Sequence, residues 1–344
     1  MKVIVDNAIP FIENRISNEV DLAILPGKDI DAHSVKDADA LVVRTRTKCN
    51  AGLLKGSKVK LVATATIGTD HIDIDWCNKN GINVMAAPGC NAPGVAQYVL
   101  ASLLETGFDP KSQTLGVIGY GNVGHVVVDW AKQMGFKTLV SDEPRKRSGF
   151  NDMGYCSLEY LLRRSDAVTL HVPLTYSGDF PTRYLIGEKE LNLMKRGAIL
   201  VNSSRGGVVD EKALKEKLKR GEIKAIIDVW ENEPTIDPEL VRLAEISTPH
   251  IAGYSQEGKK RATKMVLQAL NKVLGIPVNT DNLIEDPEKS ENSLIDNPDK
   301  HDGNKITPEI ILTSYSPSLD SRKLKSEISS FELLRNNYPY RSEP

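Results

Sequence analysis

The chain reads as an α/β protein of two doubly wound parallel sheets. The first sheet unit is interrupted by the second, and a small α+β appendage follows. Three observations carry this reading. Short β-branched apolar runs alternate with helical stretches from residue 1 to about 280, the pattern of parallel strands covered by helices. The alternation breaks at a helical stretch near residue 92 and restarts at Thr114 with a new character. A long amphipathic run, QEGKKRATKMVLQALNKVLG, follows the last strand and is placed to rejoin the first unit.

In chain order, KVIVD, DALVVRT, KLVATAT and INVMAA are the strands of the first unit. PGCNAPGVAQYVLASLLETG leaves it as a helix: Asn91 and Pro93 suit a helix start, and Val95, Val99, Leu100, Leu103 and Leu104 share one face. The second unit begins with TLGVIGYGNVG, a strand, a glycine-rich turn and a helix. FKTLVSD, SDAVTLHVPL, GAILVNSS and IKAIIDVW are further strands, with the charged helix DEKALKEKLKRG before the last. After Gly275, residues 281–303 are polar and acidic, the composition of a linker or solvated loop. PEIILTSY then reads as a strand and SRKLKSEISSFELLRNNY as a helix, too little for a core of their own.

Composition narrows the function. Over 344 residues the net charge is −2, which argues against a nucleic-acid partner. The opening MKVIVDNAIPF has no signal-peptide core, and no apolar stretch approaches about 20 residues, so the expectation is a cytoplasmic protein with no membrane partner. Cys49, Cys77, Cys90 and Cys156 have no CxxC spacing, against zinc and against a disulfide framework. TDHIDID resembles a metal cluster, but His71 has no second His or Cys at ligand spacing. The stretch reads as a loop and helix start, and no metal is expected.

Gly119, Gly121 and Gly124, with Asn122 and Val123 between the last two, form GxGxxG between an apolar strand and an amphipathic helix. In that context the pattern is a dinucleotide site of the Rossmann kind. The glycines permit a tight turn and close approach of backbone to a pyrophosphate at the helix N-terminus. Asp142 ends the next strand, where a carboxylate accepts from the adenosine ribose and repels a 2′-phosphate. That favours NAD, although Arg145, Lys146 and Arg147 follow and would suit such a phosphate. Hydride transfer from a hydroxyl-bearing carbon also needs a base and a substrate anchor. Three successive strand ends supply candidates: Arg205, then Asp228 with Glu233, then His250.

SSRGGVVDE, DVWENEP and TPHIAGYS, with GVIGYGNVG upstream, resemble the D-isomer-specific 2-hydroxyacid dehydrogenase family over roughly residues 1–280. The resemblance implies a substrate domain of residues 1–92 and 256–282 and an NAD-binding domain of 93–255; residues 283–344, beyond its reach, are expected to be a C-terminal dimerisation-type region, as in a narrower group within the family. It implies that Arg205 grips the substrate carboxylate, that His250 is the acid/base and Glu233 its partner, and that Asp228 holds the nicotinamide end.

VDNAIPF, VVRTRTK, ATATIGTDH, PGCNAPGVAQYV and SFELLRNNYPYR are similar to a narrower group in that family, one acting on a phosphorylated 2-hydroxy acid. That likeness implies substrate contacts from Thr45, Thr66 and Tyr254, and cofactor contacts at Gly253 and Val172, where threonine is more familiar. It also implies a homodimer, with Ser342 standing in place of a second arginine of the group's ending. Arg44, Arg46 and Lys48 offer cations for a phosphate, although a solvated basic turn has the same composition. Two rivals stand beside this reading. One is a relative acting on 3-phosphoglycerate, glyoxylate or hydroxypyruvate; the other is an NAD-sensing corepressor-like binding protein.

Overall fold

The computed structural model describes residues 1–149, 154–284 and 305–344. The chain divides into two compact units, Met1–Asn91 with Ser255–Asn292, and Ala92–Tyr254 with Ser293–Pro344.

The first unit carries strands β1 (Lys2–Asp6), β2 (Asp21–Leu25), β3 (Ala40–Val43), β4 (Leu61–Thr64) and β5 (Asn83–Met85). They form one parallel sheet in the order β2-β1-β3-β4-β5. β3 and β4 are buried at every position, as expected of parallel strands covered on both faces, which read as unbroken apolar runs. β2 is the strand that sequence patterning passes over. It lies at the sheet edge, half exposed, so DLAIL needs no long apolar run. The helix Gln256–Leu274 buries Ala262, Val266, Leu267, Ala269 and Leu270 in this unit's core. Ser255 caps its start, and Gly275, at φ 68, ends it in the left-handed conformation.

The second unit carries β6 (Thr114–Ile118), β7 (Lys137–Ser141), β8 (Ala167–Leu170), β9 (Ile199–Asn202), β10 (Lys224–Ile227) and β11 (Ile246–Ser247). All pairs are parallel, in the order β11-β10-β9-β8-β6-β7. The chain winds outward from β6 in both directions, so the β6/β8 boundary is the switch point where such sheets open a crevice at their carboxyl ends. The helix Ala92–Glu105 packs on this unit, with Tyr98 fully buried and its hydroxyl 2.8 Å from Thr248 Oγ1.

The C-terminal appendage departs from expectation. PEIILTSY is a helix, Pro308–Ser314, and the described C-terminal residues form helices rather than an α+β motif. Thr307 caps it by accepting from the Ile310 N–H at 3.3 Å, and Pro308 occupies the first turn, a start signal that outweighs the β-branched pair. Ile311 and Tyr315 join the core around the helix Ala92–Glu105. Ser321 Oγ accepts the Ser247 N–H at 2.9 Å, which covers the end of the edge strand β11. From residue 285 to 303 the acidic stretch lies outside the described residues.

Candidate active site

The glycine loop follows β6. Gly119 has φ 90, and a side chain there would lie 2.5 Å from the His171 carbonyl. A Cβ on Gly124 would lie 1.9 Å from the Gly119 carbonyl, so this glycine lets the helix Asn122–Gln133 close on its own loop. Gly121 differs: a Cβ there meets nothing within 4 Å, and it begins the helix with no side-chain cap. The first amides of the helix, at Asn122, Val123 and Gly124, have no carbonyl one turn earlier. Open space in front of uncapped amides fits a pyrophosphate. Val172 half-covers the loop, its Cγ1 2.9 Å from a Cβ built on Gly119, so it offers packing and backbone rather than a hydroxyl.

Asp142 sits at the end of β7. Its Oδ2 accepts the Tyr120 N–H at 2.7 Å and its Oδ1 the Arg145 N–H at 3.0 Å. The carboxylate thus ties the glycine loop to the next helix, and each oxygen keeps a lone pair for a ribose hydroxyl. The neighbouring cations are partly engaged: Arg145 lies over the Tyr120 ring at 5.9 Å, and Arg147 pairs with Asp179 at 2.7 Å.

The acid–base candidates converge after β10 and β11. Nδ1 of His250 is 2.8 and 3.0 Å from the two carboxylate oxygens of Glu233. The Trp230 N–H also donates to Glu233, at 3.0 Å. Burial raises the proton affinity of Glu233, but the His250 hydrogen bond and charge and the nearby Arg335 outweigh it, holding the carboxyl below its usual range. Glu233 is therefore an anion. A carboxylate accepts only, so Nδ1 carries the hydrogen and Nε2 is left as the basic nitrogen.

His250 itself has φ 58, in the left-handed region, sparsely populated outside glycine and a mark of over-determined functional loops. Asp228 supplies the constraint. Its Oδ1 accepts from Thr248 Oγ1 at 2.6 Å and the Ile251 N–H at 2.8 Å, its Oδ2 accepts the Ala252 N–H at 2.9 Å, and its carbonyl accepts the His250 N–H at 2.8 Å. Asp228 is 1% exposed, and burial raises its proton affinity against those bonds. The geometry makes it an anchor of the histidine loop.

Arg205 follows β9, half-buried, with Nη1 donating to the Ser204 carbonyl at 2.8 Å. Gly206 beside it lies against the backbone of Trp230 and Glu231, which brings the arginine loop onto the Glu233 loop. Gly253 is half-buried. Tyr254 has the rings of Tyr338 and Tyr340 edge-on, each at 6.2 Å.

In the first unit, Arg44, Thr45 and Thr66 lie just past the carboxyl ends of the paired strands β3 and β4. Thr45 is exposed, and Arg44 donates to the Ala8 carbonyl at 3.0 Å. The Thr66 hydroxyl donates to the Gly68 carbonyl at 2.9 Å and lies 2.7 Å from Thr64 Oγ1. His71 Nε2 is 3.2 Å from Thr64 Oγ1, and Asp73 caps a helix by accepting the Trp76 N–H at 3.0 Å. TDHIDID is thus a loop and a cap.

Sequence reasoning missed two arginines near the C-terminus. Arg341 Nη atoms donate to the carbonyls of Gly94 at 2.8 Å, Ile251 at 3.0 Å, Tyr254 at 3.2 Å and Ala252. Arg335 reaches Glu233 and Tyr254. Their partners lie 81 to 247 residues away in the sequence, so no local pattern announces them.

Residues 99–252 match the model of the D-isomer specific 2-hydroxyacid dehydrogenase NAD binding domain. The chain is 44% identical over 349 residues to an erythronate-4-phosphate dehydrogenase of Bacteroides fragilis, covering 100% of this chain and 97% of that one. It is 40% identical over 363 residues to the enzyme of that name from Azotobacter vinelandii, covering 100% and 93%. Among solved structures it resembles NAD+-bound 3-phosphoglycerate dehydrogenase from Entamoeba histolytica, with TM-score 0.66, 27% identity, and 79% and 94% of the two chains covered. It also resembles a D-lactate dehydrogenase from Aquifex aeolicus complexed with NAD and lactic acid, with TM-score 0.62, 27% identity, and 80% and 96% covered. The chain belongs to the D-isomer specific 2-hydroxyacid dehydrogenase family, in its group of erythronate-4-phosphate dehydrogenases.

Proposed function

We propose that the protein oxidises 4-phospho-D-erythronate at C2 to 2-oxo-3-hydroxy-4-phosphobutanoate with NAD, a step in pyridoxal 5′-phosphate biosynthesis. The observation that carries the chemistry is the His250–Glu233 pair, Nδ1 to carboxylate at 2.8 Å. The full-length likeness to erythronate-4-phosphate dehydrogenases supports the substrate. The protein acts as a homodimer in the cytoplasm; among the described residues no helix is long and apolar enough to cross a membrane. Residues 1–92 and 256–282 serve as the substrate domain, 93–255 as the NAD domain, and 283–344 as the dimerisation region.

NAD supplies a hydride acceptor in its nicotinamide ring. Gly119, Gly121, Asn122, Val123 and Gly124 hold its pyrophosphate and Asp142 its ribose; Val172, Asp228 and Gly253 shape the place of the nicotinamide. Arg205 grips the substrate carboxylate with a planar fork of donors. His250 Nε2 takes the C2 hydroxyl proton as the C2 hydrogen departs with its electron pair, and Glu233 stabilises the imidazolium that forms. Thr45, Thr66, Arg44 and Tyr254 contact the rest of the phosphorylated acid.

The test is a steady-state screen of 2-hydroxy acids with NAD and NADP, run with and without the phosphate. Phosphoerythronate with NAD gives the highest kcat/KM. A dephosphorylated acid that performs equally well, or preference for 3-phosphoglycerate, overturns the substrate. His250→Ala lowers kcat by about 10²–10⁴-fold, the range for a positioned acid–base group, and leaves NADH binding in place. An unchanged kcat overturns the mechanism.

A further inference from the structure

We propose that Arg335 is a positioning residue for the acid–base pair: it holds the Glu233 carboxylate against His250 and sets a fixed positive charge beside the two carboxylates that face the imidazole. This rests on reading Glu233 and His250 as the acid–base machinery.

Arg335 Nη1 donates to Glu233 Oε2 at 3.2 Å, the same oxygen that lies 2.8 Å from His250 Nδ1. Its Nε is 3.4 Å from the Tyr254 hydroxyl. The Arg335 and Glu233 side chains are 24% and 19% exposed, so water screens the pair far less than an exposed ion pair. The platform is firm. Arg335 stands on the helix Phe331–Asn336, and Phe331 is 1% exposed in the same core as Trp230, whose N–H also holds Glu233. Tyr254 in turn is wedged between Tyr338 and Tyr340 of the C-terminal segment.

The charged and polar groups facing Arg335 decide what it does. They are Glu233 from the loop after β10, Asp228 at the end of β10 and the Tyr254 hydroxyl. His250 faces the same two carboxylates. Without Arg335 both anions would act on the imidazole with no fixed cation in balance. The imidazolium would gain, and a base able to take the hydroxyl proton would persist only at higher pH. Glu233 would also lose one of the donors that fix its orientation, and Nε2 would lose its aim.

The experiment compares Arg335→Met, Arg335→Lys and His250→Ala by kcat, KM and the pH profile of kcat/KM, with thermal unfolding alongside. Arg335→Met shifts the acidic limb upward by about one pH unit, the size expected for removing a charge one residue away across a partly shielded gap. It lowers kcat about tenfold with a smaller change in KM. Arg335→Lys keeps the charge, leaves the limb in place and recovers most of kcat. A superimposable profile for Arg335→Met, or a limb shifted equally by Met and Lys, overturns the proposal, since a merely structural arginine would alter stability and not the limb. If Arg335→Met does not fold, Arg335→Gln carries the same comparison. His250→Ala separates the two readings. If it is inactive while the Arg335→Met limb stays put, this proposal alone fails; if it turns over like the wild type, the acid–base reading fails and takes this proposal with it.

Discussion

Replacing Gly206 by alanine tests whether the Arg205 loop and the Glu233 loop work as one assembly. A Cβ at Gly206 lies 2.0 Å from the Trp230 carbonyl oxygen, 2.3 Å from its carbon and 2.8 Å from the Glu231 nitrogen. All three are backbone atoms, which cannot swing aside like a side-chain tip. Ordinary contact begins near 3.4 Å, so the two loops must separate by roughly 1.4 Å. Gly206 has no positive φ, so the penalty is steric alone. The displacement reaches the chemistry by a short route, because the Trp230 N–H holds Glu233 at 3.0 Å and Glu233 holds His250. Overpacking of this kind costs about 1–3 kcal/mol, or a Tm lower by about 3–10 °C for a unit of this size. A misplacement near 1 Å lowers turnover on the order of 100-fold. The assay is steady-state kcat with the best substrate beside calorimetric Tm, with Gly121→Ala as comparison, since a Cβ there meets no protein atom and should spare Tm. Wild-type kcat and Tm for Gly206→Ala would refute the coupling of the two loops.

Two further predictions follow. Asp142→Ser removes the carboxylate at the end of β7 while keeping a cap for the Arg145 N–H; the NAD-to-NADP ratio of kcat/KM should fall about tenfold or more, and an unchanged ratio would deny Asp142 a part in cofactor choice. Glu211 is pushed up to about 7, first by burial and also by the neighbouring Glu231 charge. Its folded form keeps a proton that the unfolded chain releases near 4.5, so stability should fall between about pH 4.5 and 7, by at most about 1.4 kcal/mol per pH unit. Glu211→Gln should flatten that part of the Tm–pH curve, and a curve parallel to the wild type would show that Glu211 is ionised in the fold.

The local readings that succeeded share a cause. Buried parallel strands such as ALVV and LVAT are apolar at nearly every position, and a glycine-rich turn between strand and helix has few other uses. DLAIL escaped because an edge strand need bury little, and PEIILTSY misled because its helix start lies in Thr307 and Pro308 rather than in its apolar run.

By itself, the sequence determined the two parallel sheets, the glycine loop with Asp142, and the order in which Arg205, Asp228, Glu233 and His250 reach successive strand ends, since each depends on residue types within a few positions of one another. Tertiary structure alone decided the left-handed backbone of His250, the use of the Asp228 carboxylate as the anchor of that turn, and the arrival of Arg335 and Arg341 from the C-terminal helices. Those depend on pairings across as many as 247 residues, which packing specifies and no local pattern records.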